Sequence, residues 1–277
     1  MSLFRILGMF FRLLLAMFKL RRLHKDVKYP GGGLVALDIV LSAYRHGDYE
    51  EGLAACEGLK TNGQESSTSL YFKGANLMNL GRLDEAEKAL NASAKLENDD
   101  RKMALRYSTL GELMIEQQRY DAANDCFEKS ARLWPGRGMP DRDTAECLLH
   151  QQSNPSDALS RARVALKKER DREPLSNESQ QQNISECLAT LAWAVAESSR
   201  DRTEVDRLVS EAVPMIETAH LSSGHDAAQP VIARVHYYCG RAYAALGDQS
   251  KGSLHFEEAA RQDPKGTWGR RARAVQV

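Results

Sequence analysis

The sequence predicts an all-α fold, a solenoid of about six helix–turn–helix units that follows a separate N-terminal hydrophobic helix. Two observations predict this fold. The 277 residues are 42% apolar but only 7% aromatic, and they are rich in alanine and leucine, which favour helices. A short segment also recurs along the chain, and its interval of about 34 residues is typical of repeat arrays.

The recurring segment contains a turn, then a small residue, then an apolar residue four positions later. It occurs as GDYEEGLAACEGL from Gly47 and as GRLDEAEKALNAS from Gly81, so that the two turn glycines are one such interval apart. Further clear copies begin at Gln118 and Gly247, and two weaker copies lie between them. This spacing predicts an array over 34–266, with repeats at about 33–66, 67–100, 104–137, 139–172, 186–219 and 233–266.

Glycine and alanine are expected where the two helices of a unit touch, because a larger side chain would force the backbones apart. Large apolar residues are expected to fill the space between neighbouring units, namely Leu77, Leu90, Phe127 and Phe256. Pro135 and Pro264 are expected to end their helices, since proline cannot continue one. The polar insertions 167–183 and 220–230 are predicted to be loops or helix extensions outside the repeat.

The pattern resembles the tetratricopeptide repeat (TPR), whose units carry L-G-x2-Y, then A-x3-F, then a proline. The third and last units match it best, through Leu110, Gly111, Ala123, Phe127, Pro135, Gly240, Tyr243, Phe256, Ala259 and Pro264. The resemblance implies a right-handed superhelix whose concave groove, lined by the first helix of each repeat, binds protein or peptide partners. The candidate groove residues are Tyr71, Asn79, Ser108, Glu112, Glu116, Thr190, Tyr237 and Arg241. Residues 267–277 are expected to form a capping segment with its arginines facing solvent.

No pattern for catalysis, metal binding or cofactor binding is found in the sequence, which lacks HExxH, GxSxG, a phosphate-binding loop and a dinucleotide fingerprint. The five cysteines include no CxxC pair, and they are interpreted as small core residues in a reducing compartment. We therefore predict a protein that is not an enzyme and needs no cofactor. An enzyme with a site in the insertions is the remote alternative, with Cys147, His150, His220 and His225 as its candidates.

The N-terminal residues 1–28 are predicted to form a membrane anchor, joined to the array by a glycine-rich hinge at 29–33. Arg5, Arg12 and Lys19 are seven residues apart, so on a helix they form one narrow stripe among large apolar side chains. Such a helix either spans a bilayer or lies in its plane. The residues expected to contact the membrane are Arg5, Arg12, Lys19, Arg21 and Arg22.

Charge is distributed unevenly along the chain. Residues 1–28 carry seven basic side chains against one acidic one, a net +6, and the remainder carries −6 because the total is zero. An acidic body argues against binding of nucleic acid. Basic residues that follow an apolar segment stay in the cytoplasm, which predicts an array on the cytoplasmic side of the membrane.

The predicted function is therefore a membrane-anchored TPR scaffold that binds protein partners at the cytoplasmic face. Two other interaction proteins remain as alternatives. One is a periplasmic or otherwise exported assembly factor. The other is a soluble TPR protein whose N-terminal helix mediates self-association into a homo-oligomer.

Overall fold

The computed structural model describes residues 33–173, 177–222 and 229–275. Within these ranges the chain forms thirteen α-helices and no strand. The helices are α1 (Gly33–His46), α2 (Tyr49–Thr61), α3 (Ser67–Asn79), α4 (Leu83–Leu96), α5 (Asp100–Glu116), α6 (Tyr120–Leu133), α7 (Met139–Gln151), α8 (Pro155–Asp171), α9 (Asn177–Ser198), α10 (Arg202–Ser222), α11 (Gln229–Ala245), α12 (Gln249–Gln262) and α13 (Thr267–Val275).

The helices α1 to α12 pack as six consecutive pairs, and each pair stacks on the next. The two insertions lengthen helices: α8 continues to Asp171, and α9 and α10 are 22 and 21 residues long. Helices α6 and α12 end just before Pro135 and Pro264. The described part of the chain is therefore an α-helical solenoid.

Glycines set the distance between the two helices of a pair. A Cβ atom added at Gly74 would lie 2.5 Å from Leu90 Cγ, and one added at Gly240 would lie 2.6 Å from Phe256 Cε1. A Cβ at Gly111 would overlap the ring of Phe127. These large side chains thus fill the space inside their own helix pair, whereas the sequence pattern was expected to place them between neighbouring pairs.

The turn inside every helix pair contains one residue with a positive φ. Glycine takes this position at Gly47, Gly81 and Gly247, with φ of 73°, 76° and 79°. Gln118, Gln152 and Arg200 take it in the other pairs, with φ of 57°, 52° and 54°. A side chain with a Cβ is strained in this conformation, and glycine is not.

Replacing Gln118 with glycine is expected to raise the free energy of unfolding by about 0.5–1 kcal/mol, because relief of the left-handed strain exceeds the entropy that glycine loses on folding. Urea unfolding followed by circular dichroism measures the change. Gly81→Ala is the matched control at the same turn position and should lower the free energy of unfolding. Equal signs for the two variants would contradict the strain argument.

The buried core has two main parts that meet on α7. One contains apolar residues from Leu77 to Cys147, and the other contains residues from Ala145 to Ala272. Trp268 and Ala272 of α13 belong to the second part. The C-terminal helix is therefore held by contacts to the last helix pair, where Trp268 packs on Tyr237 and Tyr238.

The predicted N-terminal helix and hinge, together with Arg5, Arg12, Lys19, Arg21 and Arg22, lie outside the described residues. No described helix combines the length and the apolar character that are needed to cross a bilayer. The membrane anchor stays a prediction from the sequence.

Candidate functional site on the interior face

The odd-numbered helices converge on a cavity of about 160 Å³. Every residue that lines it lies on α1, α3, α5, α7, α9, α11 or α13. These helices are the first members of the six pairs, together with the C-terminal helix. We call this side of the solenoid the interior face.

Charged side chains from five helices meet on the interior face. We call this group the interior ion cluster, and its members are Glu112, Glu116, Arg142, Glu146, Glu186, Arg234 and Arg271. Arg234 links three helices, because its guanidinium lies 2.8 Å from Glu112 Oε1 and 3.5 Å from Glu186 Oε1. Arg142 is also paired with Glu186 and lies 3.7 Å from Glu112 Oε1. The pairs thus join α5, α7, α9 and α11.

Glu146 connects α7 to the two C-terminal helices of the interior face, α11 and α13. One carboxylate oxygen lies 2.8 Å from Arg271 Nη1, and the other accepts a hydrogen bond of 2.5 Å from the Tyr238 hydroxyl. Burial alone would raise the pKa of Glu146, but the hydrogen bond with His150 and the charge of Arg271 hold that pKa below its usual range. Glu146 is therefore a buried anion with three partners.

The interior ion cluster has more negative than positive charge. Three arginines face four glutamates, which leaves one negative charge in excess. Asp143 lies beside the cluster, where its Oδ1 is 2.6 Å from Arg142 Nη2 and its buried Oδ2 has no partner. Burial raises the pKa of Asp143 to about 7, although Arg142 opposes the shift. The interior ion cluster therefore favours a positively charged group beside it.

Two tryptophans hold arginines of the interior face. The guanidinium groups of Arg234 and Arg271 lie 4.5 and 4.6 Å from the ring centroid of Trp268. Arg241 lies 4.4 Å from the ring centroid of Trp193. These distances suit cation–π attraction, which adds to the ion pairs.

The structure places the eight candidate groove residues in two groups. Tyr71, Asn79, Glu112 and Glu116 line the cavity. The other four do not line the cavity. Ser108 hydrogen bonds with Ser130, and Thr190 donates to the Glu186 carbonyl. Tyr237 packs on Phe256 and Trp268, and Arg241 lies over the Trp193 ring. Whether any of the eight contacts a partner stays a prediction.

The sequence prediction missed Arg142, Glu146, Glu186, Arg234 and Arg271. One signal was present, because Glu146 follows Glu112 by one repeat interval and so occupies the same position in the next repeat. The arginines carry no such signal, since Arg142 comes from a weak repeat and Arg271 from α13, while Arg234 lies in the last repeat outside the positions of the repeat pattern.

The expectation that the α13 arginines face solvent was wrong for two of them. Arg270 Nη2 donates to the Met78 carbonyl at 3.2 Å, and Arg271 enters the interior ion cluster. The helix turns inward because Asp263 accepts hydrogen bonds of 2.6 Å from the Tyr49 hydroxyl and 3.1 Å from the Trp268 amide. Only Arg273 keeps an exposed position.

The residues of the enzyme alternative do not form a catalytic pair in the described part of the chain. Cys147 donates to the Tyr120 carbonyl at 3.7 Å, whereas His150 faces Glu146 and Arg271. Burial raises the pKa of the Cys147 thiol to about 12, so the reactive thiolate is disfavoured. The side chains of His220 and His225 lie outside the described residues, and no described group of three potential ligands could hold a metal ion.

A pair of histidines lies apart from the interior face, between α11 and α12. Nδ1 of His236 is 3.0 Å from Nδ1 of His255, and the His255 ring stacks on Tyr243. Burial, helped by the neighbouring His236, lowers the pKa of His255 to about 4, and burial also lowers the pKa of His236. Both rings are therefore neutral in the folded protein at neutral pH.

The free energy of unfolding is expected to fall as the pH drops from about 6.5 to about 4. In this window the unfolded chain binds more protons than the folded chain, because the folded pKa lies below the ordinary value, and acid therefore favours unfolding. Urea unfolding at a series of pH values measures the slope. His255→Gln should flatten it. A slope that His255→Gln does not alter would contradict the assignment.

Comparison with known proteins shows which folds resemble this one. Residues 37–101 match the model of the tetratricopeptide repeat family. The Cut9–Hcn1 hetero-tetramer of the APC/C superimposes with a TM-score of 0.54 at 16% identity, over 91% of this chain and 43% of that chain. The described chain thus has an α-solenoid fold, and its residues 37–101 match tetratricopeptide repeats. This chain therefore spans less than half of the Cut9–Hcn1 chain that it matches.

Other solved structures superimpose less closely. PilF of Pseudomonas aeruginosa gives a TM-score of 0.46 at 14% identity, over 87% of this chain and 96% of its own. BtubC of P. vanneervenii gives a TM-score of 0.47 at 16% identity, over 83% of this chain and 91% of its own. A comparison with curated protein sequences gives no match. The similarities concern the fold alone.

Proposed function

We propose that the protein is a non-enzymatic TPR scaffold that binds protein partners on its interior face. The observation that carries the proposal is the convergence of seven helices on one cavity lined by charged and aromatic side chains. Tyrosine, tryptophan and arginine are the residues that contribute most to binding at protein interfaces. Tyr71, Trp268 and Arg271 provide all three types at this place.

Electrostatics favour a partner segment with positive charge. The interior ion cluster holds one more glutamate than arginine, and the array outside residues 1–28 has a net charge of −6. Charge complementarity of this kind raises association rates and selects against acidic partners.

Photo-crosslinking tests the interior face directly. A photoreactive amino acid replaces Tyr71, which lines the cavity, and the matched controls carry it at Leu96 or Leu254, which are 57% and 64% exposed. The proposal expects a discrete crosslinked partner only from position 71. The same partner crosslinked from Leu254 instead would place the binding surface on the second helices.

We further propose that residues 1–28 anchor the array to a membrane and that the array lies on the cytoplasmic side. The support for this anchor is the stripe of Arg5, Arg12 and Lys19 within an apolar stretch and the basic residues that follow this stretch. Anchoring would raise the local concentration of partners that bind at the same membrane.

Membrane fractionation of the full chain tests the anchor. Alkaline carbonate should leave the protein in the membrane if the helix spans, and should release it if the helix lies in the plane. A full-length variant with glutamate at Phe10, Leu13 and Leu14 is the control and should be found in the soluble fraction. A reporter fused after Val277 distinguishes a cytoplasmic array from an exported one.

A further inference from the structure

The solenoid is closed by its own C-terminal helix. Thr267 N donates to Asn79 Oδ1 at 3.2 Å, and Arg270 Nη2 donates to the Met78 carbonyl at 3.2 Å. The Tyr49 hydroxyl donates to Asp263 Oδ1 at 2.6 Å, across 214 residues of sequence. Arg271 adds an ion pair with Glu116 of the third helix pair. We call these contacts of residues 263–271 with the first three helix pairs the seam.

The contacts that define the seam are polar. They are hydrogen bonds and ion pairs, and the buried apolar cluster of the second and third helix pairs includes no residue of α13. The apolar residues Trp268 and Ala272 belong instead to the buried cluster of the last three helix pairs. The chain is therefore a ring whose two sides are each held by an apolar core. The join between them consists of the seam, the Arg234–Glu112 ion pair and a close approach of α1 to α11.

Arg271 shows how the interior face holds an arginine. Its guanidinium lies 2.5 Å from Glu116 Oε1 and 2.8 Å from Glu146 Oε1, and only 14% of its side chain is exposed. The cavity beside it is lined by Tyr71 and Glu112 and keeps an excess of negative charge. Carboxylates accept charge-assisted hydrogen bonds from a guanidinium group whichever segment supplies it.

We propose that α13 occupies the interior face as an internal ligand, and that the partner is a segment of another protein whose arginine displaces Arg271 and opens the seam. This inference rests on the proposed function, since it assigns the partner's chemistry and the regulation to the same face. The closed ring is the resting state. A partner without an arginine leaves the seam closed.

The test uses the full chain with two fluorophores on non-natural amino acids at Asp84 and Val275, which lie on opposite sides of the seam. The probe is a free peptide of residues 264–275, a copy of the internal ligand. In the Arg270→Gln/Arg271→Gln chain we expect a longer distance between the fluorophores and at least tenfold tighter binding of the peptide than in the unaltered chain. The peptide with Arg271→Gln should bind at least tenfold more weakly.

Arg273→Gln is the matched control, because Arg273 lies on the same helix but is exposed and donates a hydrogen bond to the Pro264 carbonyl of its own segment. It should keep the distance and the peptide affinity of the unaltered chain. If the double variant loses its helical circular dichroism, Tyr49→Phe replaces it, since that change removes the hydrogen bond to Asp263 and leaves both carboxylates that bind Arg271 intact.

An unchanged distance in the folded seam variants would overturn the inference, and so would peptide binding that does not depend on arginine. Neither readout requires the natural partner. If the seam opens in these variants but no partner crosslinks at Tyr71, the inference is supported and the proposed function is contradicted. If a partner crosslinks at Tyr71 but the seam stays closed in these variants, the proposed function is supported and the inference is contradicted.

Discussion

Replacing Glu146 with alanine is expected to lower the free energy of unfolding by about 3–5 kcal/mol, because the change leaves buried partners without their acceptor. Arg271 loses an ion pair of 2.8 Å, and the buried Tyr238 hydroxyl loses its hydrogen bond. Urea unfolding at pH 7 and low salt measures the loss.

Two further variants distinguish the loss of the buried charge from the loss of a hydrogen-bond acceptor and from the loss of an ordinary surface ion pair. Glu146→Gln keeps an acceptor for Tyr238 but removes the charge, and it should lose less stability than the alanine variant. Glu128→Ala removes a glutamate that pairs with Arg132 at 3.5 Å on the surface, where such pairs contribute about 0–1 kcal/mol. If Glu146→Ala lost no more than Glu128→Ala, the buried cluster would not stabilise the fold.

Replacing Gly111 with alanine is expected to lower the free energy of unfolding by about 1–3 kcal/mol, the usual range for overpacking. The added methyl group would overlap the ring of Phe127, which is 1% exposed and cannot move into solvent. The two helices α5 and α6 must then separate. Urea unfolding and the thermal midpoint both measure the effect.

The same substitution at Gly58 is the matched control. Gly58 also lies within a helix, but nothing lies within 4 Å of an added Cβ. Gly58→Ala should therefore raise the free energy of unfolding by about 0.5–1 kcal/mol through helix propensity alone. A second change, Phe127→Leu, should recover part of the loss caused by Gly111→Ala. The same sign at Gly58 and Gly111 would contradict the role of close helix contact.

The helix pairs could be predicted from the sequence because their contacts are local. Gly111 and Phe127 are separated by the same stretch of sequence as Gly74 and Leu90, and as Gly240 and Phe256. Each pair of residues is a small one and a large one that meet across a single turn. A fixed repeat interval therefore reports the local structure.

The candidate site could be predicted only in part. Tyr71, Asn79, Glu112 and Glu116 line the cavity, and their contact with a partner stays a prediction. Ser108 and Thr190 share the register of these residues in the repeat but are buried against their neighbours. The direction in which a side chain on the first helix points depends on how far each pair has rotated relative to the one before, and the register alone does not contain this rotation.

The sequence by itself determined the all-α repeat architecture, the glycine contacts and the uneven charge. Only the tertiary structure decided that the array closes on itself and that Arg271 meets Glu116 and Glu146, which precede it by 155 and 125 residues. Small rotations between successive pairs add up along a solenoid, and their sum decides whether the two ends meet. No single repeat encodes that sum, so the seam and the interior ion cluster arise from the stack as a whole.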